Sequence, residues 1–406
     1  MEHIFKAKKI TDRVYWVGAI DWSISDFHGY NTNKGTTYNA FLVLAEKVTL
    51  IDTVKSYLKD ELISRISSII EPQKIDYIIS NHAEMDHSGS LEDLIGISKP
   101  EKVFASVAGI KALNEQLHTT YDITPVKSGE KISLGNMNMT FIETKMLHWP
   151  DSMFSYLHEE EILFSQDAFG MHLASSELFA DEIKDDILHN EGAKYYANIL
   201  LPFSSLVLKL LVDLPKYDLP LKLVAPDHGP IWRTNKDISK ILGLYKFWAE
   251  QKMQPKVSII YDTMWQSTSI MAKAISEGII SEGINTNLLP LSKNHRSDVI
   301  TEILDSGAIV IGSPTLNNNI LPRIADVLTY IRGLKPINKI ACAFGSYGWS
   351  GESIGILENY LKEMKINIAC EGLKVKFVPD VNALERCVEH GRELAKALKV
   401  KLNECK

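Results

Sequence analysis

IDYIISNHAEMDHSG, residues 75–89, joins a short apolar run to a dense set of metal-capable side chains. IDYIIS (75–80) has the length and β-branched composition of a buried strand. His82, Glu84, Asp86 and His87 follow within six positions, just past the strand's C-terminal end. A surface turn has no structural need for that density. Buried without a cation, such groups would leave costly unpaired polar atoms. The alternative is a solvated acidic turn.

Working outward, three more candidates stand at the ends of strand-like runs. They are His148 in MLHWPDSM, Asp167 in FSQDAFG and His228 in APDHGP. Singly, each has an ordinary reading as a hydrogen-bonded loop residue or a turn. Together, the four segments present ligands at the same kind of position, which strengthens the metal reading. Strands are expected at 13–19, 39–45, 47–53, 75–80, 102–106, 137–144, 161–166 and 221–226, with helices at 57–70, 90–97, 192–212 and 236–250. Such mixing implies an α/β domain whose sheets are covered by helices.

HxExDH followed by separate His, Asp and His segments resembles the metallo-β-lactamase-like fold in its flavodiiron (A-type flavoprotein) branch. Hydrolases of that fold usually carry a second histidine where this chain has Glu84. The exchange makes the ligand set richer in oxygen, which favours iron over zinc. Three carboxylates with one bridging hydroxide also balance two Fe(II) ions. The resemblance implies that one iron takes His82, Glu84 and His148 and the other takes Asp86, His87 and His228, with Asp167 bridging. It further implies a histidine and a tyrosine beside the open face of the iron pair, here His28 and one or both of Tyr195 and Tyr196. Core packing is the alternative for the tyrosines and the favoured reading for Trp149.

Composition changes at QKMQPKVSIIYD, where Pro255 precedes the strand 257–261, and the domain boundary is expected near residue 253, giving domains 1–253 and 254–406. Beyond it, strands at 257–261, 285–290, 307–312, 338–344 and 374–378 alternate with helices at 268–282, 297–305, 320–333, 352–364 and 382–398. That rhythm predicts a doubly wound, flavodoxin-like parallel sheet. Its ligands would bind at the strand C-terminal ends, where three loops stand. The first supplies Thr263, Met264, Trp265, Gln266, Ser267 and Thr268 at a helix N-terminus, a phosphate cradle without the glycine usual in flavodoxins. The second supplies Ser313, Pro314, Thr315, Asn317 and Asn318, and the third Ser346, Tyr347, Gly348, Trp349 and Ser350. Small residues let backbone approach a ring, and Tyr347 and Trp349 can cover its face. No GxGxxG follows a strand, so the flavin expected is FMN, with no nicotinamide site. The alternative is a response-regulator-like domain with Ser/Gly-rich turns.

FMN and two irons per chain make the expected function an oxidoreductase that reduces dioxygen to water, with nitric oxide as the other oxidant of this chemistry. The four cysteines, Cys342, Cys370, Cys387 and Cys405, form no CxxC pair, so neither a built-in rubredoxin site nor a disulfide framework is expected. Electrons would arrive from reduced coenzyme F(420) or from a separate rubredoxin. The wording NHAEMDHSG and the Lys/Ile/Asn-rich composition resemble the methanogen coenzyme F(420) oxidases of this family, which favours the deazaflavin. Lys293, Arg296 and Arg323 are candidates for its anionic tail, against an ordinary surface role. The resemblance also implies a head-to-tail homodimer, or a tetramer built from it, in which the FMN of one chain serves the irons of the other. Rivals are a zinc hydrolase of the lactamase-like fold and a plain electron carrier.

The bulk numbers exclude other classes. A net charge of −7 offers no basic excess for nucleic acid. The N-terminus has no apolar signal region, and NILLPFSSLVLKLLVDL is broken by Pro202 and Lys209, so no membrane span is expected and cytoplasm is the default.

Overall fold

A computed structural model describes residues 4–118 and 121–404, so Cys405 lies outside the described residues. The chain divides into two compact units. The first comprises 1–28, 32–195 and 203–246; the second comprises 29–31, 196–202 and 247–406.

The first unit is an αβ/βα sandwich. Its seven-stranded sheet runs in the order Lys8–Lys9, Val14–Trp16, Phe41–Val43, Thr49–Ile51, Tyr77–Ser80, Lys102–Ser106, Ile123–Val126. The last four of these strands are mutually parallel. A five-stranded sheet runs Lys131–Ser133, Asn138–Glu143, Met153–Leu157, Ile162–Phe164, Leu223–Ala225. Strand alternation divides the apolar residues between two layers. Phe41, Ile51, Ile79 and Phe104 pack with Phe141, Met153 and Phe164 between the sheets. Leu42, Leu50, Ile78 and Ala105 face the other way, onto Leu62, Ile66, Leu94 and Leu113 of the covering helices. The loop after Tyr77–Ser80 of the first sheet carries His82 to His87, and the loops after Asn138–Glu143, Ile162–Phe164 and Leu223–Ala225 of the second sheet carry His148, Asp167 and His228.

Several elements had escaped the sequence pattern. Met153–Leu157 is a central strand of the second sheet with all five residues buried, so it lacks the two-residue alternation that marks a strand. The helix Val107–Leu117 starts directly from the strand before it, with Ser106 as N-cap accepting from the Gly109 amide. The single helix expected over 192–212 is a broken run: α-helix to Tyr195, a π turn over Tyr196–Leu200, a 3-10 turn over Leu201–Phe203, then α-helix Ser204–Asp213. Pro202 has no amide to donate, which breaks the ladder there. The stretch Asp185–Tyr217 is apolar and long enough to cross a bilayer by length and composition alone. Tyr195, Tyr196, Leu200 and Leu201 within it are buried against protein.

The second unit is a parallel sheet in the order Asn285–Pro290, Lys256–Tyr261, Ala308–Gly312, Ile340–Tyr347, with a split edge strand, Asn367–Ile368 and Leu373–Lys376, beside the last. Strand order 2-1-3-4-5 is the flavodoxin-like doubly wound arrangement, and its switch point lies at the C-terminal ends of the first and third strands. Next to the split, Gly372 packs so closely on Ile354 and Glu358 that a Cβ would collide. The edge strand ends early because Phe377 turns into the left-handed region at φ 56°.

Candidate metal centre and flavin pocket

The loops after the strands of the first unit bring the seven expected side chains into two adjoining groups. Ligand atoms of His82, Glu84, His148 and Asp167 lie within 4.8 Å of one another, and those of Asp86, His87 and His228 form a second such group. Asp167 faces both. Its Oδ2 is 3.3 Å from His82 Nε2 and 3.0 Å from His148 Nε2. Its Oδ1 is 3.2 Å from His87 Nε2 and 3.4 Å from His228 Nε2. Glu84 Oε2 lies 3.3 Å from both His82 and His148, and Asp86 Oδ2 lies 3.4 Å from His87 and 3.2 Å from His228. Metal–ligand bonds of about 2.1 Å give ligand–ligand edges of about 3.0–3.4 Å in octahedral or tetrahedral shells. The observed separations fall in that range. Among the described residues, buried His87 Nε2 and Asp86 Oδ1 have no hydrogen-bond partner, a costly arrangement that a cation would relieve.

The cluster's electrostatics follow from these pairs. Burial pushes Glu84 up, but hydrogen bonds from His148 and His82 outweigh it and bring its carboxyl to about 2. Burial also opposes the charge on Asp86 and Asp167, yet the His87 imidazolium holds both carboxyls well below their usual range. Burial lowers the histidines, but the carboxylates win. Asp86 and Asp167 raise His87 to about 10, Asp167 and Glu84 raise His148 to about 9, and Asp151 and Glu84 raise His82.

The outer atoms of the histidines are fixed by residues the sequence reading had passed over. Asp151 Oδ2 sits 3.0 Å from His82 Nδ1 and accepts the Ala83 amide at 2.6 Å. Asp227 Oδ2 is 3.5 Å from His87 Nδ1. His228 Nδ1 donates to the Thr37 carbonyl at 2.6 Å, which leaves Nε2 for the cluster. Asp52 accepts from the amide and side chain of Asn81 at 2.7 and 2.8 Å, fixing the loop just before His82. Such partners set the ring orientation and tautomer of a ligand histidine. Asp151 and Asp227 both lie inside quoted motifs, HWPDS and APDHGP, so their proximity to His148 and His228 was the available signal.

Of the three candidates for the open face, His28 stands with Nε2 3.5 Å from Glu84 Oε1 and its side chain 76% exposed. Tyr195 is buried and hydrogen-bonds Asp167; burial and the Asp167 charge push its hydroxyl well up, so it stays protonated. The Tyr196 ring packs on Trp248 at 5.6 Å. His172, unremarked in the sequence, lies 4.6 Å from the His228 ring and 5.1 Å from Tyr195, and burial keeps it neutral. Trp149 stacks edge-on to His82 at 5.3 Å, a packing contact.

In the second unit, the three expected loops line one cavity of about 470 Å³. Thr263, Met264, Trp265, Ser267, Pro314, Thr315, Asn317, Asn318, Ser346, Tyr347, Gly348, Trp349 and Ser350 all border it, joined by Leu316, Phe377 and Val378, which had not been foreseen. Gln266, Thr268 and Ser313 belong to the same loops but do not border it. Thr268 Oγ1 meets Ser346 Oγ at 3.1 Å, and Ser313 Oγ accepts the Leu321 amide at 3.0 Å. Gln266 stands at φ 68°, a conformation that glycine adopts without strain, and so occupies the turn for which the sequence lacked a glycine. Thr263 Oγ1 is buried without a partner among the described residues, at the N-terminal end of helix Ser267–Ser281, as a phosphate cradle would leave it. Arg296 is tied to the Gly29 carbonyl and Asp326, a structural role; Arg323 lies 3.8 Å from Asp262, beside Thr263.

Gly345 lets the third and fourth strands close up below this cavity, because a Cβ there would run into the Ser313 carbonyl. Gly345→Ala is expected to cost about 1–3 kcal/mol of stability and to weaken FMN binding. Flavin fluorescence titration with thermal unfolding tests this, and unchanged values for both would exclude the packing argument.

A family model described as ODP family beta lactamase matches residues 36–229, and a flavodoxin model matches 259–391. The chain is 45% identical over 390 residues to a protein of Moorella thermoacetica named nitric oxide reductase, covering 95% of this chain and 97% of that one. It is 45% identical over 399 residues to the rubredoxin-oxygen oxidoreductase of Megalodesulfovibrio gigas, covering 98% and 99%. The solved rubredoxin oxygen:oxidoreductase of Desulfovibrio gigas superposes with a TM-score of 0.96 over 98% of this chain and 100% of that one, at 45% identity. The flavodiiron protein of Giardia intestinalis gives 0.93 at 33% identity, covering 98% of each.

The chain belongs to the flavodiiron protein family. It is an oxidoreductase that carries FMN in the flavodoxin domain and a diiron centre in the lactamase-like domain. The zinc-hydrolase and plain-carrier readings are thereby set aside. Both donor sets fit their groups: the oxygen-rich, doubly faced cluster suits a pair of irons, and the loop cavity with its free threonine hydroxyl suits a flavin phosphate.

Proposed function

We propose that this flavodiiron protein takes electrons from an external donor through FMN and reduces dioxygen to water, with nitric oxide as the alternative oxidant. The observation that carries the reading is Asp167, whose two oxygens face the two groups of ligands separately. On this reading His82, Glu84 and His148 hold one iron, Asp86, His87 and His228 hold the other, and Asp167 bridges them. When bound, reduced FMN and the two irons together store the four electrons that dioxygen needs. The chain's own residues exclude water, fix ligand orientation and supply protons. The catalytic tyrosine narrows to Tyr195, because Tyr196 packs on Trp248. The protonated Tyr195 hydroxyl is a donor beside Asp167. His28 Nε2, exposed to solvent and near Glu84, can relay a proton inward.

The relative named rubredoxin-oxygen oxidoreductase supports a separate rubredoxin as donor; reduced coenzyme F(420) is the competing donor. The exposed rings of Trp265 and Trp349 at the cavity rim, 88% and 87% accessible, support the reading that a partner chain covers it in a homodimer. An active species sedimenting as a monomer would sink that reading.

The test is anaerobic reduction of iron-loaded protein by each donor in turn, followed through the flavin absorbance, then addition of oxygen or nitric oxide. Fast bleaching by rubredoxin and reoxidation by oxygen without peroxide is the expected result. Bleaching by coenzyme F(420) alone would transfer the donor role, and turnover only with nitric oxide would transfer the oxidant. Tyr195→Phe should lower kcat by about 10²-fold with FMN and iron contents unchanged. A rate equal to the parent's would remove Tyr195 from the chemistry.

A further inference from the structure

The second unit holds another cluster of metal-binding side chains, separate in the chain from the seven diiron residues. Cys370 Sγ, a ring nitrogen of His390 and a carboxylate oxygen of Glu393 lie within 4.8 Å of one another. His390 and Glu393 stand three residues apart on the helix Val381–Glu404, hence on one face. Cys370 stands in the break between Asn367–Ile368 and Leu373–Lys376. The Cys342 thiol, on the strand Ile340–Tyr347, contacts the Cys370 thiol and brings a second sulfur. Both cysteines are free and buried.

His390 is the informative member. It is only 6% exposed, and its Nε2 is buried with no hydrogen-bond partner among the described residues. An unpaired imidazole nitrogen in a core is costly, and a cation would relieve it. The backbone of His390 is held in place, because the neighbouring Gly391 packs so closely on the helix Ser267–Ser281 that a Cβ would meet the Ile275 carbonyl. Glu393 is exposed, so an ion has a path from solvent to the buried sulfurs.

We propose that Cys370, His390 and Glu393, with Cys342 as the fourth donor, form a tetrahedral site for a thiophilic divalent cation of the zinc class. Two sulfurs and one imidazole are a soft set, the opposite of the oxygen-rich iron cluster. Binding releases the two thiol protons and pins the split edge strand to the last helix. A separation of up to 4.8 Å is within reach of a tetrahedral shell after small side-chain adjustments.

The experiment loads the full chain with iron and FMN, equilibrates it with zinc under reducing, anaerobic conditions, and measures metal content and zinc X-ray absorption. The expected result is one zinc per chain beyond the iron, with sulfur neighbours at about 2.3 Å. The diiron residues include no cysteine, so sulfur neighbours cannot come from that site. Cys370→Ser should abolish this equivalent while iron and FMN stay. The surface change Glu393→Gln, which leaves the core untouched, should raise the zinc Kd about tenfold. Absence of the extra equivalent in the parent, zinc with nitrogen and oxygen neighbours only, or undiminished zinc in both variants would each overturn the proposal.

Discussion

Asp167→Ala is expected to abolish turnover, by at least about 10²-fold, while FMN stays bound. Four histidine nitrogens lie 3.0–3.4 Å from this one carboxylate, two on each oxygen. Alanine removes the carboxylate whose two oxygens face the two groups of ligands separately. Each metal then loses a ligand, the pair loses its bridge, and iron content should fall below two per chain. The loss exceeds the 10–100-fold typical of changes to residues that merely support a ligand. The metal-free protein should suffer as well. Asp167 is the leading counter-charge for His148 and a further one for His87 and His82, and leaving a buried imidazolium without its anion costs about 3–5 kcal/mol. Asp167→Asn keeps the shape and one oxygen, so it should retain more iron than alanine but not the full activity. The flavin pocket belongs to the other domain's loops, so FMN content is the internal control. Iron analysis, flavin content and oxygen consumption decide the matter. Full activity with two irons in the alanine variant would falsify the bridging role.

What the sequence made legible follows from how much each feature is forced by local chemistry. The seven clustered side chains were legible because a buried site of this kind needs them at strand ends, and four fall in one hexapeptide, 82–87. The flavodoxin-like domain was legible because its strands and helices alternate at full length. The partners of the ligands were not. Asp151 serves His82 from 69 positions away, and the Thr37 carbonyl accepts from His228 across 191. Nothing local distinguishes such a carboxylate from a surface one until the strands are paired. The short pair Ala19–Asp21 with Thr36–Tyr38 was missed because three residues cannot display a period. Phe377 and Val378 joined the flavin pocket only because the edge strand ends early at a left-handed residue.

Metal uptake by the metal-free protein should release close to three protons per chain near pH 7–8. Without metal, burial disfavours the charge on His82, His87 and His148, but carboxylates raise His87 to about 10, His148 to about 9 and His82 well above 6.5. All three are therefore imidazoliums at neutral pH, set against Glu84, Asp86 and Asp167, which are ionised. A metal takes the neutral ring, so each ligand must give up its proton. Apparent affinity should climb about tenfold per pH unit for each proton displaced, and flatten as the pH passes 9–10. The sign for stability runs the other way. Raised histidine pKa values stabilise the metal-free fold fully below 6.5, and that contribution fades as pH rises through about 9–10. Depressed carboxylate values stabilise it above 4.5, and that contribution is lost as pH falls towards about 2. The metal-free protein should thus be most stable between those limits and weaken on the alkaline side, where the metal binds best. The gap in Tm between loaded and metal-free protein should widen from pH 6.5 to 9. Anaerobic titration with a pH indicator counts the protons, and calorimetry across pH measures the gap. Uptake without proton release, or a gap that narrows with pH, would mean that the histidines are already neutral in the metal-free protein.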